Sequence, residues 1–259
     1  MNVELKLLTY MALKKGDFIL LDFTARTKEN NEVFDTTNKD VAKQAGIFNE
    51  KYPYEPVPVI IGEKMVVAGL ENDLLLSDPG QSRTIEVPPE SGFGLRDPAK
   101  IKVISERDLL KRNIRPEAGQ TLEVNGQTAV VRSVNAGRVQ LDFNHPLSGK
   151  TLIYEYTVRK VVTDDLEKAL ELVHRLAPSI KKESFEITIN DSEAQVKIPE
   201  EILYWDSLQA FKITLVRDLI KYIDRIESVV FIERFSYKRS SENKEEVKST
   251  QASTEQPTA

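Results

Sequence analysis

The strongest constraint on the fold is Asn125-Gly126, set between the alternating runs TLEV (121–124) and QTAVVRSV (127–134). A two-residue type I′ turn needs positive φ at both central positions. Asn-Gly supplies them at little cost, so the spacing predicts a tight antiparallel hairpin. Asn135-Ala136-Gly137-Arg138 marks the next turn, and VQLDF (139–143) reads as a third strand. Upstream, Ser105-Glu106-Arg107-Asp108 resembles a capping box that opens a short helix to about Arg112. Residues 99–144 therefore read as a small self-contained unit. It holds eight basic and five acidic residues, about +3, within a chain of net charge −5.

The segments on either side of this unit read as one sheet that the unit interrupts. FILLDFTART (18–27) is rich in β-branched and aromatic residues, and Glu29-Asn30-Asn31-Glu32 turns the chain into Val33-Phe34-Asp35. The prolines of YPYEPVPVIIG (52–62) keep it extended. Residues 69–76 form one short helix, ended by Asp78-Pro79-Gly80, and 81–87 read as another strand. TLIYEYTVRKVV (151–162) alternates as a partner for this first sheet, not as a continuation of the insert.

A further unit follows over 163–236. A helix begins at Asp164-Asp165, with Leu166, Ala169, Leu170, Val173 and Leu176 at helical period. His174 on this helix reads as surface or partly packed. FEITINDSEAQVKIP (185–199) predicts a hairpin, 206–226 a long helix, and 228–235 a strand. The long helix carries two apolar stripes. One is Leu208, Phe211, Leu215, Leu219, Tyr222 and Ile226; the other is Ile213, Val216, Ile220 and Ile223. The tail from 237 to 259 is nearly devoid of apolar residues and is expected to be disordered.

The composition removes whole classes of chemistry. There is no cysteine, so disulfides, thiolate metal sites and cysteine nucleophiles are excluded. With two histidines, His145 and His174, a histidine-rich metal site is excluded too. His145 sits in Asn144-His145-Pro146, a context that suits a structural turn. No apolar run reaches the length of about 18 residues that a membrane span needs. The start, MNVELKLLTYMALKKGD, is interrupted by Glu4 and Lys6 and is not expected to be a secretion signal; translation from Met11 stays open. The absence of a strongly basic segment speaks against nucleic acid as a partner. The expectation is a soluble, cytoplasmic protein.

VFD (33–35), IIGEKMVVAGLE (60–71), PESGFG (89–94) and NHPLSGK (144–150) occur in this order. With this order and spacing, the chain resembles the FKBP-type peptidyl-prolyl cis-trans isomerases over about 16–162. The subtype resembled is the SlyD-like form, whose flap loop carries an insert-in-flap chaperone domain. The C-terminal unit is similar in layout to that of the long archaeal members. The resemblance implies an α+β architecture: an antiparallel sheet wrapped on a short helix (1–98 plus 145–162), a β-rich flap insert (99–144) and a C-terminal α+β domain (163–236).

Such an enzyme needs little chemical equipment. An X-Pro bond isomerises over about 18–20 kcal/mol because the twisted state loses amide resonance. The twisted amide carries less charge separation, so a dry aromatic pocket favours it over both planar states. No acid, base, metal or cofactor is required. By motif match, the resemblance implies that Phe23, Phe34, Asp35, Val67, Phe93 and Tyr154 form the catalytic pocket. The Val67 N–H would hold the substrate carbonyl, and Asp35 would orient rather than transfer protons; the competing reading of Asp35 is a turn cap beside Thr36 and Thr37. Val57, Val66 and Leu70 would line the pocket. Phe23 and Phe93 stand where tyrosine is common and lack its hydroxyl, so macrolide inhibitors should bind more weakly.

The insert is too small to bury all its aliphatic residues. Ile101, Ile104, Leu109, Leu110, Val130 and Val131 are therefore expected to bind unfolded or nascent proline-containing chains and to concentrate them at the pocket. One of the two stripes of the C-terminal unit's long helix can pack on that unit's own hairpin and the other on a second surface, either within the same subunit or on a second copy of the chain as a homodimer. The reading favoured is a prolyl isomerase with chaperone activity, because the pocket residues are present; the alternative is a holdase with little or no isomerase activity.

Overall fold

The computed structural model describes residues 13–236. The tail expected over 237–259 and the start weighed as a signal or as preceding Met11 lie outside the described residues. The chain divides into two compact units, one through Ser179 and one from Ile180.

The first unit is built on an antiparallel sheet whose path runs β2-β1-β9-β4. Its strands are β1 (Phe18–Thr27), β2 (Val33–Thr36), β3 (Val57–Ile60), β4 (Ser82–Val87) and β9 (Leu152–Val161). β1 is long enough to take two short partners on one edge. Its first half pairs β3, from Phe18 opposite Ile60 to Leu21 opposite Val57, and its second half pairs β2. The returning strand β9 joins this first sheet, as its alternation predicts, and the structure places it between β1 and β4.

Strand periodicity puts Leu21, Phe23 and Ala25 on one face with Tyr154, Tyr156 and Val158 opposite them. The helix α2 (Ala68–Leu74) buries Leu70 and Leu74 in this face. Gly69 permits the approach: a Cβ there would meet Val87 Cγ1 at 2.6 Å. Asp73 completes the seam, accepting from Arg83 Nε and Nη2 at 2.9 and 2.8 Å and from the Tyr156 hydroxyl. One short helix was not foreseen, α1 (Lys39–Gln44). It buries only Ala42 and so has no legible apolar stripe; Asn38 Oδ1 starts it by accepting from the N–H groups of Asp40 and Val41.

The insert is a sheet of order β5-β8-β7-β6. Its elements are β5 (Ile101–Ser105), α3 (Glu106–Leu110), β6 (Thr121–Val124), β7 (Gln127–Asn135) and β8 (Arg138–Asp142). The Asn-Gly hairpin forms, with φ of 54° at Asn125 and 74° at Gly126. Two details differ from expectation. β5 is a fourth strand, and Ser105 precedes α3 without a side-chain cap bond, so the capping box does not form. The insert has its own core of Leu109, Leu122, Val124, Val131, Val139 and Leu141.

A polar knot holds the neck of the insert. Asp142 is buried, pairs with Arg96 and Arg132, and accepts from Asn144 N and Nδ2. Asn144 in turn exchanges two hydrogen bonds with the Asp97 backbone, at 2.9 Å each.

The helix α4 (Asp165–Leu176) begins with Asp164 accepting from Glu167 N–H. It packs against β3 and falls in the first unit, whereas the sequence boundary at 163 assigns it to the C-terminal one. Its buried arc is wider than the expected stripe: Glu171, Leu172 and His174 are buried while Leu166 is exposed. His174, expected at the surface or partly packed, is 6% exposed.

The second unit pairs β10 (Glu186–Asn190) with β11 (Glu193–Lys197) as a hairpin. The helix α5 (Leu208–Tyr222) then crosses to β12 (Ser228–Ile232), which lies parallel to β11. α5 ends at Tyr222, short of the expected 226, because Ile223 adopts an extended conformation. Leu208, Phe211, Leu215 and Leu219 are buried, whereas Ile213 and Ile220 of the second stripe are exposed.

Candidate active site

Between the concave face of the first sheet and α2 lies a cleft of about 690 Å³. Phe23, Asp35, Val57, Val66, Val67, Leu70, Phe93 and Tyr154, expected from scattered motifs, all border it. Their convergence follows from strand pairing. Ala25 faces Asp35 on one side and Tyr154 on the other, so both side chains flank a small residue on one face. Val67 is the extended residue at the N-cap of α2, and its N–H has no protein partner among the described residues.

Phe34 departs from the expected arrangement. It does not border the cleft but stands behind the wall, edge-on to Phe93 at 6.3 Å and to Tyr154 at 6.2 Å. Such T-shaped contacts place a positive ring edge on a negative ring face and hold both wall rings in position. Phe93 is supported from the flap as well: His145 stacks on it, with centroids 4.4 Å apart, and the Ser148 hydroxyl donates to its carbonyl. His145 accepts from the Leu147 N–H through Nδ1, in keeping with a turn residue.

Asp35 is exposed at the edge of the cleft, but the apolar lining around it removes part of its solvent. This desolvation pushes the Asp35 carboxyl above the usual carboxylate range, and a hydrogen bond from the Thr36 backbone offsets this only in part. Asp35 makes no ion pair among the described residues. Burial, and then the nearby Asp35, push the Tyr154 hydroxyl up to about 12. Tyr52 is raised by burial first and then by the nearby Asp35, Tyr54 and Glu55. The cleft thus disfavours charge and accepts an apolar ring.

Sequence reasoning missed one end of the cleft. Tyr52, Glu55, Lys64, His174 and Arg175 also border it. The aromatic and proline residues of 52–58 hinted at a wall, but nothing local connects them to a helix more than a hundred residues downstream. A second concavity of about 560 Å³ lies over the other face of the sheet, where Asp22, Thr24, Glu155 and Thr157 project. Its two projecting carboxylates are paired, Asp22 with Arg159 and Glu155 with Arg26.

In the insert, the six residues expected to bind substrate divide. Leu109 and Val131 are core residues, each 1% exposed, and this corrects their expected role: they cannot meet a client while the insert is folded. Ile104 packs against the same core. Ile101 and Val130 both align with Asp142 across the sheet, on the face turned away from that core. Val103 shares that face and is 62% exposed, and Leu110 at the end of α3 is 46% exposed. Val103 lies two residues from Ile101 in β5, and strand alternation puts the two on one face.

Comparison with known proteins gives three family matches in order along the chain. Residues 10–123 match FKBP-type peptidyl-prolyl cis-trans isomerase, 102–147 match the FKBP26 IF domain, and 165–236 match the FKBP26 C-terminal family. The short-type peptidyl-prolyl cis-trans isomerase of Methanocaldococcus jannaschii is 33% identical over 149 residues, covering 58% of this chain and 94% of the relative. The FKBP-type 16 kDa peptidyl-prolyl cis-trans isomerase of Escherichia coli is 28% identical over 112 residues, 41% of this chain and 74% of the relative. The SlyD protein of Helicobacter pylori is 27% identical over 146 residues, 54% and 69% respectively.

Proposed function

The chain belongs to the FKBP-type peptidyl-prolyl cis-trans isomerases, and from that premise we propose that it twists X-Pro bonds in the cleft between its first sheet and α2 while the insert captures unfolded chains beside it. The observation that carries this reading is the convergence of an apolar aromatic lining with one unpartnered backbone donor, the Val67 N–H.

The substrate proline enters against Leu70, Phe23 and Tyr154. The Val67 N–H holds a substrate carbonyl, so the chain is fixed on one side while the prolyl amide rotates. Rotation through about 90° removes resonance and charge separation, and the apolar wall stabilises that state relative to either planar isomer. Asp35 acts as a fixed dipole or charge at the edge of the rotating amide. Nothing covalent breaks, so no proton need be moved. Clients are unfolded, proline-containing polypeptides, held by the apolar residues that the insert leaves exposed, Val103 and Leu110 among them. Tethering beside the cleft raises the effective concentration of prolines there. Work in the cytoplasm is part of this reading; no described helix is long and apolar enough to cross a membrane.

The test is catalysed refolding of a protein limited by proline isomerisation. The full chain is compared with one in which 99–144 is replaced by a short loop. Acceleration that drops sharply on replacement, with turnover of a short X-Pro peptide surviving, supports both halves. A full chain inactive on both substrates that still suppresses aggregation is a holdase, and the reading fails.

A further inference from the structure

The face of the insert sheet turned away from its core is both apolar and cationic. Strand alternation places Ile101, Val103, Val130, Arg138, Gln140 and Asp142 on it. Ile101, Asp142 and Val130 form one cross-strand row, so the carboxylate lies between two aliphatic side chains. Asp142 is 1% exposed, and two guanidiniums cover it: Arg96 from the loop before the insert, and Arg132 from β7, whose Nε donates at 3.0 Å. Both sit at one carboxylate oxygen, and Asn144 donates twice to the other. Two cations thus share one anion. Burial, and then the neighbouring Arg132, lower the Arg96 guanidinium from its ordinary value, as like charges held together require. The two arginine side chains stay 38% and 42% exposed, and a guanidinium has five donors, so each keeps N–H groups open to solvent. Arg138 is exposed on the same face, four residues along β8 from Asp142 and so about 13 Å away. Its guanidinium has no partner among the described residues. The other carboxylate among the strand residues of this face is Glu123, on the far edge strand β6.

We propose that this face binds unfolded segments in which acidic side chains are interspersed with apolar ones: Arg96, Arg132 and Arg138 take the carboxylates, and Ile101, Val103 and Val130 take the apolar side chains. The inference rests on the capture role of the insert and adds a client class to it. Asp142 does not oppose an acidic client, because it is buried beneath guanidiniums that outnumber it. The aliphatic row between the arginines favours a polypeptide over a nucleic acid, whose phosphate backbone would leave that row uncovered.

The experiment titrates the full chain calorimetrically with three peptides that share the same apolar residues and carry Glu, Gln or Lys between them. The peptides lack proline, which keeps isomerisation in the cleft out of the comparison. The Glu peptide should bind about two- to fivefold more tightly than the Gln peptide at low salt, as for ion pairs at partly exposed sites. The ratio should shrink as salt rises. R138Q and R132Q should each move it toward one, and R138E should shift the preference toward the Lys peptide. R107Q removes a charge from α3, which packs Leu109 into the core side of the sheet, and should leave the ratio intact. An equal drop in R107Q would assign the preference to the net charge of the insert and overturn the proposal. A ratio of one in the wild type, with binding intact, overturns the proposal alone. Absence of binding by all three peptides overturns the capture reading and the proposal with it. Tighter binding of a mixed-sequence RNA oligonucleotide, lost in R138Q, would assign the face to nucleic acid and overturn the proposal as well.

Discussion

Phe93 and His145 stack face to face, with ring centroids 4.4 Å apart and planes within 5° of parallel. One residue precedes the insert and the other follows it, so the contact closes the neck across 51 intervening residues. The same ring of Phe93 meets the edge of Phe34 and borders the cleft. The neck of the insert and the wall of the cleft are therefore one construction.

Breaking the stack should loosen the wall. Such ring contacts contribute about 0.5–1.5 kcal/mol, which corresponds to roughly two- to tenfold in rate if the contact is made fully in the transition state. H145A is expected to lower kcat/KM on a short X-Pro peptide within that range. An unaltered kcat/KM would show that the stack has no bearing on the cleft.

Asp35 carries a carboxyl raised by burial, so its ionised form costs the folded state stability. The folded protein binds the proton more tightly than the unfolded chain. The cost is therefore present at neutral pH and disappears as pH falls through the raised value to below the ordinary 3.8. D35N should melt above the wild type at pH 7, with the gap closing in acid, and should lose several-fold in kcat/KM. A lower melting temperature at pH 7 would refute the stability half.

Asp73 behaves in the opposite sense. Burial alone would raise its carboxyl, but hydrogen bonds from Arg83 and Tyr156, with the adjacent positive charge, outweigh this and hold it below the ordinary 3.8. Its stabilisation is complete above that value and is lost as pH falls beneath it. D73N should cost about 1–3 kcal/mol at pH 7 by denaturant titration, through loss of the α2 seam. An equal penalty at pH 7 and pH 2.5 would argue against the linkage.

The insert separates core from client surface. L109A should destabilise the protein by about 2–5 kcal/mol, as expected for a truncated buried leucine. The double variant V103E/L110E should leave melting nearly in place, yet slow catalysed refolding much more than turnover of a short peptide. Equal losses in the two assays would remove the capture role from these side chains.

The local elements were legible because their signals are local. Asn125-Gly126 demands its turn whatever surrounds it, and the alternation of 18–27 and 151–162 makes strands wherever they pair. α1 was illegible because a helix that buries one alanine has no stripe. The exposure of Ile213 beside the burial of Ile223 on one expected stripe was equally unreadable, since periodicity gives a face and not what covers it. Leu109 and Leu110 are adjacent and identical in chemistry, and only the packing of α3 sends one into the core and the other to solvent.

By itself the sequence determined the kind of chemistry available: no thiol, scarcely a histidine, and ordered motifs for an apolar pocket interrupted by a hairpin-bearing insert. Tertiary structure alone decided which residues share that pocket. Ala25 brings Asp35 and Tyr154 to one face through two different strand pairings, and α4 brings His174 to Glu55 from more than a hundred residues away. The physical reason is that side-chain identity and periodicity are properties of neighbouring residues. Register and helix docking, by contrast, are settled by which distant apolar faces exclude water together.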